Sequence, residues 1–136
     1  MTLTARGLRN NNPANIIYDP TQTWIGQTGS DGHFAVFDTA LHGLRAAALN
    51  FYHYQTKHRL RTVRGLIARH APGFENDTAA YIAFVAAQLG VGPDEAIDLG
   101  DPAVLSALLV AVVKEEDGGD PYDAQTIAEA VAEALP

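Results

Sequence analysis

The feature that most constrains this chain is a change of hydrophobic period at Asp38. Before it, residues 7 to 37 read GLRNNNPANIIYDPTQTWIGQTGSDGHFAVF, where Asn-Asn-Asn-Pro, Asp-Pro and Ser-Asp-Gly are turn signals around short apolar runs. NIIY, TWIG and FAVF are the candidate strands. From Asp38 or Thr39, either of which can cap a helix, apolar residues recur at helical spacing instead. Leu41, Leu44, Ala48, Phe51 and Tyr52 fall on one stripe of a helix reaching about residue 57. A shorter amphipathic helix over about residues 61 to 71 carries its Arg residues outward and stops at Pro72-Gly73. Asn76, Asp77 or Thr78 caps a third helix that buries Tyr81, Phe84, Val85 and Leu89 and ends at Gly90. PDEAIDL marks a short turn or helix, and Asp101-Pro102 opens a fourth long helix running to about Glu116. Asp120 or Asp123 starts the last. The expected class is mainly α, one domain over residues 1 to 136. An irregular loop and β lobe takes 7 to 37, and helices take 38 to 136.

Composition excludes several chemistries. With 47% apolar and 18% charged residues the chain is globular rather than disordered. It has no cysteine, hence no disulfide, thiolate metal site or cysteine nucleophile. The five His residues (His33, His42, His53, His58, His70) are scattered without an HExxH-like pair, so neither a metal nor another cofactor is expected. No Gly-x-Ser-x-Gly elbow is present, and Gly90-Val91-Gly92 reads as a helix stop. The N-terminus lacks a secretory pattern, and the longest apolar run, AVLSALLVAVV, is too short to insert in a bilayer. The net charge of −7 conceals a polarity, with eight of the nine Lys and Arg in residues 1 to 70 and thirteen of the sixteen acids after them. Either a basic face meets an anionic polymer, or the halves neutralise each other on folding. No motif or basic–aromatic array accompanies the Arg residues, and nucleic acid is not an expected partner.

One residue stands out on the fourth helix. Taking Leu105 as zero, Leu108, Leu109 and Val112 fall within roughly 60° of it, and Glu116 about 20° away. A carboxyl in the middle of an apolar stripe is desolvated, which favours its protonated form and suits a general acid. Glu115 lies at the stripe's edge. The competing reading is a frayed helix end with the side chain in water. Gly118-Gly119 either leaves room beside the carboxyl or merely ends the helix.

At this point a resemblance enters. RGLRNNNPANIIY, TWIGQTG, GHFAVFDTALHGLRA, TVRGLIARHAP, ENDTAAYIAFVAAQLGV and VVKEEDGGDPY, in that order, look like a family of small phage virion proteins associated with peptidoglycan degradation and the lysozyme superfamily. A more distant similarity links Asn11-Asn12-Pro13-Ala14-Asn15-Ile16, Trp24-Ile25-Gly26, Phe34 to Phe37 and Asn76-Asp77-Thr78 with Tyr81 to segments of flagellar-type glucosaminidases. Those enzymes carry a catalytic Glu at a helix end before the Asn segment, whereas the first glutamate here is Glu75. A circular permutation, with the acid-bearing helix moved to the C-terminus, reconciles the two orders. The family's usual form near the acid is His-Glu-Asn-Gly against Glu115-Glu116-Asp117-Gly118 here, which makes Glu115 the second candidate.

The resemblance implies a lysozyme-like fold and cleavage of peptidoglycan glycan strands, with Glu116 as the acid. Two-carboxylate glycosidases place a second acid about 5–9.5 Å away, for which Asp38, Asp117 and Asp120 are the candidates. Without one, a lytic transglycosylase is the better fit. Asn11, Asn12 and Asn15 are candidate sugar ligands, or else an Asn turn satisfying its own backbone. Trp24, Tyr52, Tyr81 and Tyr122 are candidate stacking platforms, or else core. Other virion proteins are possible partners, and the expected locations are the virion or the host cytoplasm before release. The alternatives are an inactive virion or wall-binding protein and an antagonism effector paired with an immunity protein.

Overall fold

A computed structural model describes residues 5–71 and 77–136. Pro72, Gly73, Glu75 and Asn76, to which a helix stop, the first glutamate and a possible cap were assigned, lie outside the described residues.

Each long helix begins on a side chain that satisfies an orphan backbone N–H. Thr39 accepts from His42 N to start α2 (Ala40–His58), and Thr62 accepts from Gly65 N to start α3 (Val63–His70). Asp77 caps α4 (Thr78–Leu89) through Ala80 N. Asp101 accepts from Ala103 N ahead of α5 (Pro102–Asp117), whose first residue is a proline that has no N–H to lose. Asp123, through Thr126 N, caps α6 (Ala124–Ala134). Gly90 and Gly118 close α4 and α5 in the left-handed region, at φ 70° and 73°. PDEAIDL is a turn without a helix.

A one-turn helix, α1 (Arg6–Arg9), was not legible in the sequence. It has four residues and no side-chain cap, too few for a period to emerge. Two strands, β1 (Gln27–Ser30) and β2 (Ala35–Phe37), pair antiparallel, with a bulge between Gln27 and Gly29. FAVF thus supplies β2, and NIIY contributes only the Ile17–Phe34 bridge. TWIG is not a strand. Trp24 accepts a turn hydrogen bond from Gln27 N, and Gly26 sits at φ 83°, so the chain reverses where alternation had suggested extension.

The core is helical. α2 packs on α6, and α5 lies among α4, α6 and α2. Leu44, Phe51, Leu66, Ile67, Leu105, Leu108, Leu109 and Val112 are fully buried, each contributing about 1.5–3 kcal/mol relative to exposure. The N-terminal lobe docks on this body at two places. Gly43 of α2 is covered by the Asn11 backbone, and α1 lies against α5. These contacts carry residues 10 to 16 to the end of α5.

Candidate functional site

The loop that follows α1 is built by its own asparagines. Asn12 is fully buried. Its Nδ2 donates to the carbonyls of Ile16 and Ala35, each at 2.9 Å, and its Oδ1 accepts from Ile16 N at 2.9 Å. Asn10 donates to Asp31 Oδ2 at 2.8 Å, which also takes Arg6 Nε. Asn11 donates to the Phe37 carbonyl at 3.2 Å. Asn11 and Asn15 both adopt left-handed backbone, φ 51° and 53°, which Asn tolerates better than other side chains. Of the three asparagines predicted to bind sugar, Asn11 and Asn12 therefore spend their amides on the lobe's own backbone. Asn12 has no surface to offer a ligand.

Asn15 is different. Its Nδ2 donates to Glu116 Oε2 at 3.2 Å across a separation of 101 residues. The Glu116 side chain is 13% exposed, while Glu115 points to solvent. Burial pushes the Glu116 carboxyl up to about 7; the Asn15 hydrogen bond opposes the rise, and neighbouring Glu115 adds to it. His70, the last residue of α3, places Nε2 3.9 Å from Glu116 Oε1. Its ring packs against Phe51 and edge-on to Tyr81. Burial lowers the imidazole to about 4, against a hydrogen bond to the Ala14 carbonyl that favours its proton. Between about pH 4 and 7 the close approach of His70 and Glu116 is thus a contact between neutral groups, with the proton on the carboxyl. The Tyr81 hydroxyl is buried and faces Glu116 without completing a geometrically sound hydrogen bond. Tyr81 is a wall behind the acid and not a stacking platform.

The carboxyl opens onto a cavity of about 210 Å³ lined by Arg6, Asn15, Ile17, His33, Phe34 and His70. A second cavity of about 250 Å³ shares Asn15, Ile17 and His70 with it and extends past Asp19, Trp24, Asn50, Tyr54 and Arg69. The two adjoining hollows make up the groove beside Glu116, with Asn15, Ile17 and His70 lining both. Larger hollows, of about 570 and 580 Å³, lie away from the acid among Ala and Pro side chains and beside Arg59 and Arg61. Trp24 lines the cavity of about 250 Å³ but is only 9% exposed, too buried for a stacking platform. Tyr52 is half-buried against the core and lines the 570 Å³ hollow instead. Tyr122 lies half-buried near Asp117, its hydroxyl pushed up to about 12 by burial and by that carboxyl. It is not among the residues lining the groove.

The candidates for a second carboxylate separate cleanly. Asp38 is exposed and held by His42 at 2.7 Å, which lowers its proton affinity. Asp120 is exposed beside Lys114 Nζ at 3.6 Å. Only Asp117 adjoins the acid, and it is turned into the protein against Gly7 rather than across the groove. His70, Ile17, Phe34 and Arg69 were not singled out from the sequence. A signal existed for His70, which follows Val63 and Ile67 on the buried stripe of its helix. Among the described residues, no group of His, Asp and Glu could hold a metal ion, and no helix is long and apolar enough to cross a membrane.

No family model matches the chain. Protein P5 of Pseudoalteromonas phage PM2 is 42% identical over 123 residues, covering 87% of this chain and 74% of that protein. The chain, with Glu116 on its fifth helix and Asn15 in its N-terminal loop, thus belongs to the same family as Protein P5 of phage PM2.

Proposed function

We propose that the chain is a phage virion protein that cuts peptidoglycan glycan strands, with Glu116 as the general acid. One observation carries this reading: a carboxyl whose burial favours retention of its proton near neutrality opens onto a groove, gripped by an asparagine from the far end of the chain. Glu116 gives its proton to the bridging oxygen. Neutral His70 leaves that proton on the carboxyl, and Asn15 fixes the carboxyl's direction. Ile17 and Phe34 offer apolar surface to a sugar face at the groove's rim. The fold is lysozyme-like in this reading, with the acid-bearing helix late in the chain instead of early.

Asp19, its proton affinity lowered by Thr21, lines the adjoining cavity and is the candidate base for an activated water. No second carboxylate lines the cavity of Glu116 itself among the described residues, which favours attack by the sugar's own 6-hydroxyl. Glu116 then serves first as acid and next as base. Expected partners are peptidoglycan and other virion proteins. The test is release of soluble fragments from purified peptidoglycan by the wild type and by Glu116→Gln, with products weighed by mass spectrometry. Release that vanishes in the variant, with anhydro ends, is the expected outcome. Reducing ends would replace the sugar hydroxyl by water as nucleophile. A folded wild type that releases nothing would leave a non-enzymatic virion or wall-binding role.

A further inference from the structure

Acceptor oxygens converge on the Cα of Gly7. A Cβ built there would overlap Asp117 Oδ1 and stand 2.9 Å from the Asn12 carbonyl oxygen and 3.1 Å from Asn15 Oδ1. Both oxygens of Asp117 are buried and have no hydrogen-bond partner, and Asn15 Oδ1 is buried without a donor. Buried polar groups are nearly always paired, so three orphan oxygens in one place require an explanation. Among the described residues, the surroundings offer no cation. Arg6 of the adjoining α1 is committed to Asp31, and the titratable groups facing Asp117 are Glu116, Tyr81 and Tyr122. An ionised Asp117 would stand among acceptors and a second carboxyl. A protonated one owns the single donor the pocket lacks.

We propose that Asp117 is a positioning residue whose carboxyl stays protonated and donates to Asn15 Oδ1, locking the amide so that its Nδ2 meets Glu116. The kinetic consequence rests on the reading of Glu116 as the acid; the protonation itself does not. Asp117 is then neither nucleophile nor base. When it ionises, the amide is drawn to turn its NH₂ towards the new charge and present Oδ1 to Glu116, which loosens the acid. Burial and the nearby Glu116 raise the Asp117 carboxyl to about 7, so this release falls in the neutral range.

The test is a pH titration of side-chain carboxyl ¹³C signals in the full chain, with Asp117 assigned through Asp117→Asn. The expected result is one aspartate titrating near neutrality, far above the ordinary value of about 3.9, and absent from the variant. Titration of Asp117 with the ordinary aspartates would overturn the proposal, even if no glycan is cleaved. In fragment release, Asp117→Ala is expected to lose about 10- to 100-fold, the cost of a lost hydrogen bond in a charged network. Asp117→Asn, which keeps a donor but cannot ionise, should recover most of that loss and move the alkaline limb of the pH profile. An Asn variant as impaired as the Ala variant would equally overturn it. A wild type without fragment release sinks the glycan-cleaving reading and leaves the titration to decide.

Discussion

Gly43→Ala sets two physical effects against each other with opposite signs. Gly43 lies inside α2, where alanine is favoured over glycine by about 1 kcal/mol on intrinsic helix propensity. Propensity alone predicts a stabilised protein. In the folded chain, however, a Cβ at this position would overlap the Asn11 carbonyl oxygen. It would also approach the Asn11 carbonyl carbon to 2.8 Å and Pro13 Cδ to 3.1 Å. Carbon needs about 3.5–4 Å, and the obstacle is backbone, which cannot swing aside as a long side chain would. The Asn loop must retreat by more than about 1 Å, at a cost of about 1–3 kcal/mol or more, and the packing loss outweighs the propensity gain. Gly65→Ala in α3 is the control, because its Cβ would meet side chains alone, Leu60 Cδ2 at 3.3 Å, Thr62 Oγ1 at 3.4 Å and Leu60 Cβ at 3.7 Å. Thermal unfolding followed by circular dichroism should show the Gly43 variant melting several degrees below wild type and the Gly65 variant at or above it. The same retreat carries Asn15 away from Glu116, and a displacement of about 1 Å in a catalytic group can cost about 10²-fold in rate. A Gly43 variant as stable as wild type would refute the claim that the loop is seated on α2 by backbone contact.

Asn12→Asp keeps size and shape but turns both donors into acceptors facing the Ile16 and Ala35 carbonyls; urea unfolding should report a loss of about 3 kcal/mol or more, and a near-neutral change would mean that the lobe does not depend on this amide. Glu116 binds its proton more tightly folded than unfolded, so its contribution to stability is full below pH 4.5 and lost as pH rises towards about 7. Urea midpoints across that range should show Glu116→Gln gaining on wild type by an amount on the order of 2 kcal/mol, with no gain near pH 4; parallel curves would refute the burial of that charge. His70 acts in the opposite direction, since its depressed proton affinity makes stability rise with pH between about 4 and 6.5. This slope is offset by Glu116 and Asp117 in the wild type and should emerge when both carboxyls are replaced, in Glu116→Gln with Asp117→Asn.

What the sequence revealed and what it hid follow one division. Local chemistry was legible: Thr39, Asp77, Asp101 and Asp123 cap the helices that their positions suggested, and the 100° rule put Glu116 on the buried face of α5. The failures belong to tertiary context. Alternation in TWIG suggested a strand, but the turn at Gly26 decides that segment. Amides at 11 and 12 looked equivalent to the one at 15, and only the fold distinguishes an amide sealed under β2 from one facing a carboxyl 101 residues away. His70 was one histidine among five until α3 was docked beside α5.

The placement of a single proton joins these features. A carboxyl and an imidazole 3.9 Å apart usually form an ion pair with the proton on nitrogen, because their ordinary affinities, about 4.3 against 6.5, favour that direction. Here the order is inverted, and burial does it from both sides: it penalises the carboxylate and the imidazolium alike, so the state with two neutral groups prevails. Such inversion needs walls around the pair on the sides away from the cavity. Phe51 and Tyr81 supply them from the helical body, while Ala14 and Asn15 supply them from the N-terminal lobe. Neither half of the chain encloses Glu116 by itself. The lobe thus acts on the acid chiefly by excluding water from it, and any change that lifts the lobe, at Gly43 or at Gly7, should return the proton to His70 before it unfolds the helices.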